Sequence, residues 1–176
     1  MDMSNKPQTN EYAAPFAKYI DLVPAGDLVS ILAEQSEQLV QLLSGVSEEQ
    51  SHFRYDEGKW SIREVLGHVI DNERVWTYRL LRIARGDQMS FPSYNENQFI
   101  QHARFDEIPL SDLLDEFVSL RKSAIYLLKG LPAEAWDRAG TLYDHPLTTR
   151  AAAAVVAGHE KHHCNIIRER YLPKLG

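Results

Sequence analysis

Four long segments of this chain carry apolar residues at helical spacing, and this periodicity restricts the fold more than any other feature. The segments run from about residue 27 to 44, 61 to 86, 110 to 129 and 148 to 171. Apolar side chains three and four residues apart share one face of a helix, and that face must be buried against another element. No segment alternates apolar and polar residues for long, so no sheet is expected. The sequence therefore predicts an all-α fold, a four-helix bundle.

Local signals place the ends of these helices. Asp27 and Ser61 precede the first two helices, and Glu64 completes a capping box with Ser61. The longest connection, residues 87–108, is polar and aromatic, and one short helix is expected near residues 95–101. Connections of this length often wall or cover a functional site. Residues 1–26 are expected to form a loose lead-in and residues 27–176 a single domain.

Composition excludes several classes of protein. The 176 residues carry a formal net charge of −6 with scattered Lys and Arg, which argues against a nucleic-acid surface. No apolar run approaches the roughly 20 residues that span a bilayer, so no membrane partner is expected. The single cysteine, Cys164, excludes a disulfide framework. With no secretory signal in the first ten residues, a cytoplasmic location is expected.

Two histidines lie in the middle of the apolar stripe of the last helix. His159 and His163 are four residues apart, so their side chains lie one turn apart and can converge on one ion. Burial of both imidazoles is unfavourable unless something satisfies them. A metal site is one interpretation, and hydrogen-bonded core histidines at a chance spacing are the other. His68 lies on the flank of the stripe of the second helix, within reach of a neighbouring helix.

Three other residues are candidates for a role near these histidines. Asn72 lies one turn beyond His68 and is a candidate catalytic residue, because it could hydrogen-bond a ligand or a bound water. Glu160 lies near the edge of its apolar stripe, where it is either a general base or a solvated carboxylate on the helix rim. Cys164 is interpreted as a small, semi-buried packing residue in preference to a nucleophile. Six aromatic residues either line a pocket or belong to the core: Trp60, Trp76, Tyr78, Phe91, Tyr94 and Phe99.

Two sequence runs together resemble the DinB/YfiT-like superfamily. They are residues 59–71, KWSIREVLGHVID, and residues 158–163, GHEKHH, and the resemblance extends over about residues 28–171. The resemblance implies an up-down-down-up four-helix bundle that is often dimeric. It also implies that His68, His159 and His163 bind a divalent ion, commonly zinc or nickel.

The resemblance also restricts the chemistry. Characterised members include S-transferases and an isomerase that use low-molecular-weight thiols, while others are described only as metal-dependent hydrolases. Three imidazoles leave a coordination position open, as in a catalytic site, and suit zinc, nickel or iron better than magnesium or calcium; manganese is a further candidate. The leading expectation is a homodimeric, thiol-dependent S-transferase acting on a small molecule. A metal-dependent hydrolase and a non-catalytic metal-binding bundle are the alternatives.

Overall fold

The computed structural model describes residues 1–3 and 6–175, and helices dominate it. In chain order the α-helices are α1 (Ala17–Ile20), α2 (Leu28–Leu43), α3 (Ile62–Ala84), α4 (Glu96–Ala103), α5 (Leu110–Lys129) and α6 (Thr149–Ile166). The four long helices form a bundle in which α2 and α3 each pack against both α5 and α6. The predicted all-α bundle is confirmed. Within the described residues, no helix is both long and apolar enough to cross a membrane.

Side-chain caps fix the starts of three bundle helices. The Asp27 carboxylate accepts a hydrogen bond from the Ser30 amide at 3.0 Å, and the Thr148 hydroxyl accepts one from the Ala151 amide at 3.1 Å. The capping box at Ser61 is complete, because the Glu64 carboxylate also accepts from the Ser61 amide at 2.8 Å. Each cap satisfies a backbone donor that the first helical turn leaves unpaired. The helix starts therefore agree closely with the sequence.

A small sheet, which the sequence did not predict, joins two connections. Strand β1 (Ser90–Phe91) pairs in parallel with β2 (Ala139–Leu142), and β2 pairs antiparallel with β3 (His145–Thr148). The expectation of no sheet is wrong because strands of two to four residues are too short to show an alternating pattern. The β2–β3 turn also lacks glycine, although Tyr143 and Asp144 have φ values of 53° and 60°.

The N-terminal segment packs on the bundle. Met3, Phe16 and Ile20 are buried in a core cluster that also contains residues 151–157 of α6. Helix α1 lies against α6, and Glu11 is ion-paired with Arg150 near the start of α6. The expected loose segment is therefore wrong, because its short helical turns carry too few residues to display periodicity. The domain boundary at residue 26 stays a prediction.

A fully buried ion pair lies between the bundle helices. Arg121 of α5 donates two hydrogen bonds to Glu73 of α3, each of 2.8 Å, and a third to the backbone oxygen of Leu32 in α2. Both side chains are almost completely excluded from solvent. Removal of one partner would leave a buried charge unpaired, which typically destabilises a protein by about 3–5 kcal/mol. The pair therefore connects α2, α3 and α5 through hydrogen bonds.

Candidate metal centre

Three buried histidines converge between α3 and α6. His68 comes from α3, His159 and His163 come from successive turns of α6, and their relative exposures are 2%, 3% and 9%. One ring nitrogen from each lies within 4.8 Å of the others. The Nε2 atoms of His68 and His159 are 3.0 Å apart. The structure thus brings together the three residues that the sequence proposed as ligands.

A glycine precedes a histidine on each of the two helices and allows another part of the chain to approach there. A Cβ atom at Gly158 would lie 1.9 Å from the backbone oxygen of Tyr19. A Cβ atom at Gly67 would lie 2.4 Å from the ring of Phe105. The Tyr19 ring then contacts His159 edge-on, with ring centroids 5.2 Å apart. These close contacts help to fix the positions of the histidine-bearing turns.

Burial keeps the three imidazoles neutral. It lowers the pKa of His68 to about 4, and it lowers the pKa values of His159 and His163 well below the usual value of 6.5. Neighbouring imidazoles add to this effect, since each would repel a second positive charge. Neutral imidazole is the form that binds a metal ion. The facing ring nitrogens of two histidines can share one hydrogen, but the ring nitrogens of three converging histidines cannot all be paired in this way. A set of three imidazole nitrogens fits a zinc, nickel or iron ion.

A cavity of about 250 Å³ adjoins the histidines. His163 forms part of its wall, and the ring of Trp60, which also lines it, lies 4.9 Å from the ring of His68. The cavity is open at the surface and mainly apolar. Its lining residues are Tyr55, Gly58, Lys59, Trp60, Val65, Asn97, His163, Ile166 and Tyr171. A small organic molecule bound there would touch the histidine cluster.

Comparisons with known proteins agree with these features. A family model for the DinB superfamily matches residues 31–167, which include all three histidines. The chain belongs to the DinB superfamily. A search of curated proteins finds no match to this DinB-superfamily chain.

A solved structure supports the same fold. YfiT from Bacillus subtilis superposes with a TM-score of 0.74 and 20% sequence identity, over 93% of this chain and 90% of that chain. YfiT is described as a probable metal-dependent hydrolase with an unusual four-helix bundle topology. At this identity the similarity shows the fold alone, and it confirms the predicted DinB/YfiT-like bundle.

In this DinB-superfamily chain, Asn72 contacts the connection between β1 and α4. Its Nδ2 atom donates a hydrogen bond to Tyr94 Oη at 2.7 Å. Burial raises the pKa of Tyr94 to about 12, so the phenol stays protonated. The catalytic role expected for Asn72 stays a prediction, and the structure shows that it anchors a segment beside the histidine cluster.

Glu160 lies inside the bundle, with 2% of its surface exposed. Its Oε1 atom accepts a hydrogen bond from the Cys164 thiol at 2.8 Å, and burial raises its pKa although the nearby Arg121 charge opposes that shift. The expected alternative of a solvated carboxylate on the helix rim is wrong. A helical projection gives an angle on one helix, but α6 is covered by α1, α2 and α3 together. A catalytic role for Glu160 stays a prediction.

Cys164 has the packing environment expected from the sequence. It is 5% exposed, and burial beside Glu160 raises the pKa of its thiol. A thiol that is both protonated and inaccessible is a poor nucleophile. Among the aromatic candidates, Trp60 lines the cavity, Trp76 and Phe91 are buried in the core, and Tyr78 and Phe99 are exposed.

One acidic residue near the histidines was missed by sequence reasoning. Glu96 is the first residue of α4, and its Oε2 atom lies 3.8 Å from His68 Nε2. The sequence signal that could have pointed to Glu96 was the short helix expected inside the long connection of residues 87–108. Its position relative to α3 depends on tertiary packing, which no local pattern specifies.

Proposed function

We propose that this chain is a metal-dependent enzyme in which His68, His159 and His163 hold one divalent ion and the adjacent cavity binds a small-molecule substrate. The convergence of three buried, neutral imidazoles beside an open cavity carries this proposal. Three histidines with a fourth position available to a substrate or water are characteristic of catalytic zinc sites. Zinc or nickel is the proposed ion, with iron and manganese as alternatives.

The nucleophile would come from outside the protein. Cys164 is buried and hydrogen-bonded to Glu160, so its thiol is not available to a molecule in the cavity. When bound, a divalent ion lowers the pKa of a coordinated water or thiol toward neutrality. The aromatic walls at Trp60 and Tyr171 would hold the apolar part of the second reactant.

Our first candidate reaction is S-transfer from a low-molecular-weight thiol to an electrophile. The sulfur would form a bond to an electrophilic carbon, the leaving group would depart with its electron pair, and the thiol proton would pass to solvent. The thiol-using members of the family support this candidate. Homodimer formation, a cytoplasmic location and the lack of a nucleic-acid partner stay predictions.

Hydrolysis is the second candidate reaction. It is favoured by the description of YfiT, whose fold this chain shares. In that case water would replace the thiol as the nucleophile. A bundle that binds metal without catalysis is the remaining alternative, and it is an outcome of the assay below.

Metal analysis of tag-free protein tests the site itself. We expect about one ion per chain after reconstitution with zinc or nickel, and none in His159→Ala because one of three ligands is lost. His162→Ala is the matched control, since His162 adjoins the cluster but lies outside it. A wild-type chain that binds no metal, or a His159→Ala variant that binds like wild type, would refute the proposal.

Two assays on the reconstituted protein separate the reactions. Metal-dependent consumption of a thiol with 1-chloro-2,4-dinitrobenzene would support S-transfer. Metal-dependent cleavage of 4-nitrophenyl acetate without thiol would support hydrolysis. Metal-loaded protein inactive in both assays, across several thiols and esters, would favour the non-catalytic alternative.

A further inference from the structure

The carboxylate of Glu96 approaches the histidine cluster from α4. Its Oε2 atom lies 3.8 Å from His68 Nε2, and that same nitrogen lies 3.0 Å from His159 Nε2. The carboxylate is therefore near the ring atom that faces the other histidines. This is the side of His68 on which an ion would bind.

The contact joins an exposed side chain to a buried one, since Glu96 is 57% exposed and His68 is 2% exposed. An acidic residue in the first turn of a helix is favoured by the helix dipole. That effect accounts for an acid near the start of α4, but it does not require the side chain to lie beside His68.

The backbone around Glu96 is held in place on both sides. Asn95 caps α4, because its side-chain oxygen accepts hydrogen bonds from the amides of residues 97 and 98. Before it, Tyr94 accepts a hydrogen bond from Asn72, which lies one turn after His68 on α3. After it, Ile100 is buried in the core. Glu96 is thus presented to His68 by an anchored segment.

The separation is close to that of two ligands on one ion. Bonds of about 2.0–2.2 Å at tetrahedral angles place donor atoms about 3.3–3.5 Å apart. The observed 3.8 Å to His68 Nε2 exceeds this by about 0.3–0.5 Å, but Glu96 lies outside the group of donor atoms that are all within 4.8 Å of one another, so its side chain must turn toward His159 and His163 to join them. The Glu96 side chain is 57% exposed, so a small rotation toward the ion meets little steric resistance.

We propose that Glu96 donates a carboxylate oxygen to the ion as a fourth protein ligand. The proposal rests on the metal site proposed above and assigns it a donor set of three nitrogens and one oxygen. The carboxylate would reduce the net charge of the loaded site by one. Because Glu96 is exposed while the histidines are buried, it is the ligand that an incoming substrate would displace.

Zinc affinity tests the assignment directly. Apo protein, as the full tag-free chain, is titrated with zinc in competition with a chromogenic chelator, and cobalt(II) is added in parallel to record its visible absorption. We expect Glu96→Gln and Glu96→Ala to weaken zinc binding by about 10- to 100-fold, the range seen when groups around a metal are removed. We also expect a changed cobalt spectrum, since the donor set changes.

Glu107→Gln is the matched control. Glu107 belongs to the same connection, and its side chain is 58% exposed, against 57% for Glu96. The zinc affinity of the Glu107→Gln variant should stay within twofold of wild type. Circular dichroism should show that all variants are folded. An equal loss in Glu107→Gln would show a general charge effect and overturn the proposal.

The outcomes separate the two proposals. If wild type binds zinc and both Glu96 variants match it in affinity and cobalt spectrum, Glu96 is not a ligand and the three-histidine site stands. If wild type binds neither zinc nor cobalt, the metal site fails and this inference fails with it.

Discussion

The buried imidazole of His68 links the stability of the metal-free protein to pH. Its pKa is about 4 in the folded chain, and in the unfolded chain it has the usual value of 6.5. Between these values the unfolded chain binds a proton that the folded chain does not, so acid favours unfolding. Above pH 6.5 the ring is neutral in both states and burial of His68 does not make stability depend on pH. As the pH falls from 6.5 toward 4, the free energy of unfolding decreases progressively. His159 and His163 shift in the same direction.

We therefore expect the melting temperature of chelator-treated protein to fall between pH 7 and pH 5. The His68→Gln variant lacks the imidazole, so its melting temperature should fall less between pH 7 and pH 5. The buried Glu160, whose raised pKa acts in the opposite sense, is common to both proteins and cancels in the comparison. Differential scanning calorimetry at several pH values provides the measurement. If the melting temperatures of the two proteins fell equally with pH, His68 would not be the source of the pH dependence.

At the residue scale, helical spacing predicted the side-by-side burial of two histidines on α6, which the structure shows, while their binding of a metal stays a prediction. His159 and His163 followed from their own spacing, while His68 depended on the family motif. Glu96 could not be predicted, because it reaches His68 through a connection whose path is set by tertiary contacts. The burial of Glu160 was misjudged, since the number of helices that cover α6 is not visible in the periodicity of α6.

At the scale of elements, glycines control how closely other segments approach the histidine-bearing helices. Gly158 lies against the backbone of Tyr19, whereas Gly67 lies against the ring of Phe105. The Tyr19 backbone cannot move aside without shifting α1, whereas the Phe105 side chain can be displaced by a change of rotamer. Rotation of the ring about its own axis would not suffice, since its Cγ is among the atoms 2.4 Å away. The two glycines should therefore differ in their tolerance of a methyl group.

We expect Gly158→Ala to destabilise the protein by about 1–3 kcal/mol, as overpacking usually does, and Gly67→Ala to cost less. Gly158→Ala should also weaken zinc binding, because Tyr19 contacts His159. Gly45→Ala is the control: nothing lies within 4 Å of its added Cβ. Urea unfolding of the three variants measures the differences. Equal midpoints for Gly158→Ala and Gly45→Ala would refute the close contact.

The elements were predictable in proportion to their length. Caps and periodicity indicated the four bundle helices and the short α4. The strands β1, β2 and β3 pair residues far apart in sequence, and each is too short to have a pattern of its own. The short helical turns of the N-terminal segment were not predicted, because they are also too short to have a pattern of their own.

At the scale of the whole molecule, an ion would link two helices whose ligands lie 91 residues apart in the chain. Because the unfolded chain does not hold the three imidazoles together, zinc should bind chiefly to the folded state. Free zinc at 100 times its dissociation constant would add about 2.7 kcal/mol of stability. For a chain of this size that corresponds to a rise in Tm of about 5–10 °C.

Thermal unfolding with added zinc and with a chelator measures this rise. His159→Ala should show no zinc-dependent shift, whereas His162→Ala should behave as wild type. A shift of equal size in His159→Ala would place the stabilising ion elsewhere.

The contact between α1 and α6 also bears on how the protein is made. Tyr19 leaves the ribosome first, and Gly158, against which it packs, follows roughly 7–28 s later at usual rates of synthesis. Until then Phe16 and Ile20 have no α6 to cover them. The nascent chain therefore exposes these apolar side chains to chaperones until α6 has emerged. Because His159 and His163 emerge well after His68, an ion could be held by all three histidines only once α6 has left the ribosome.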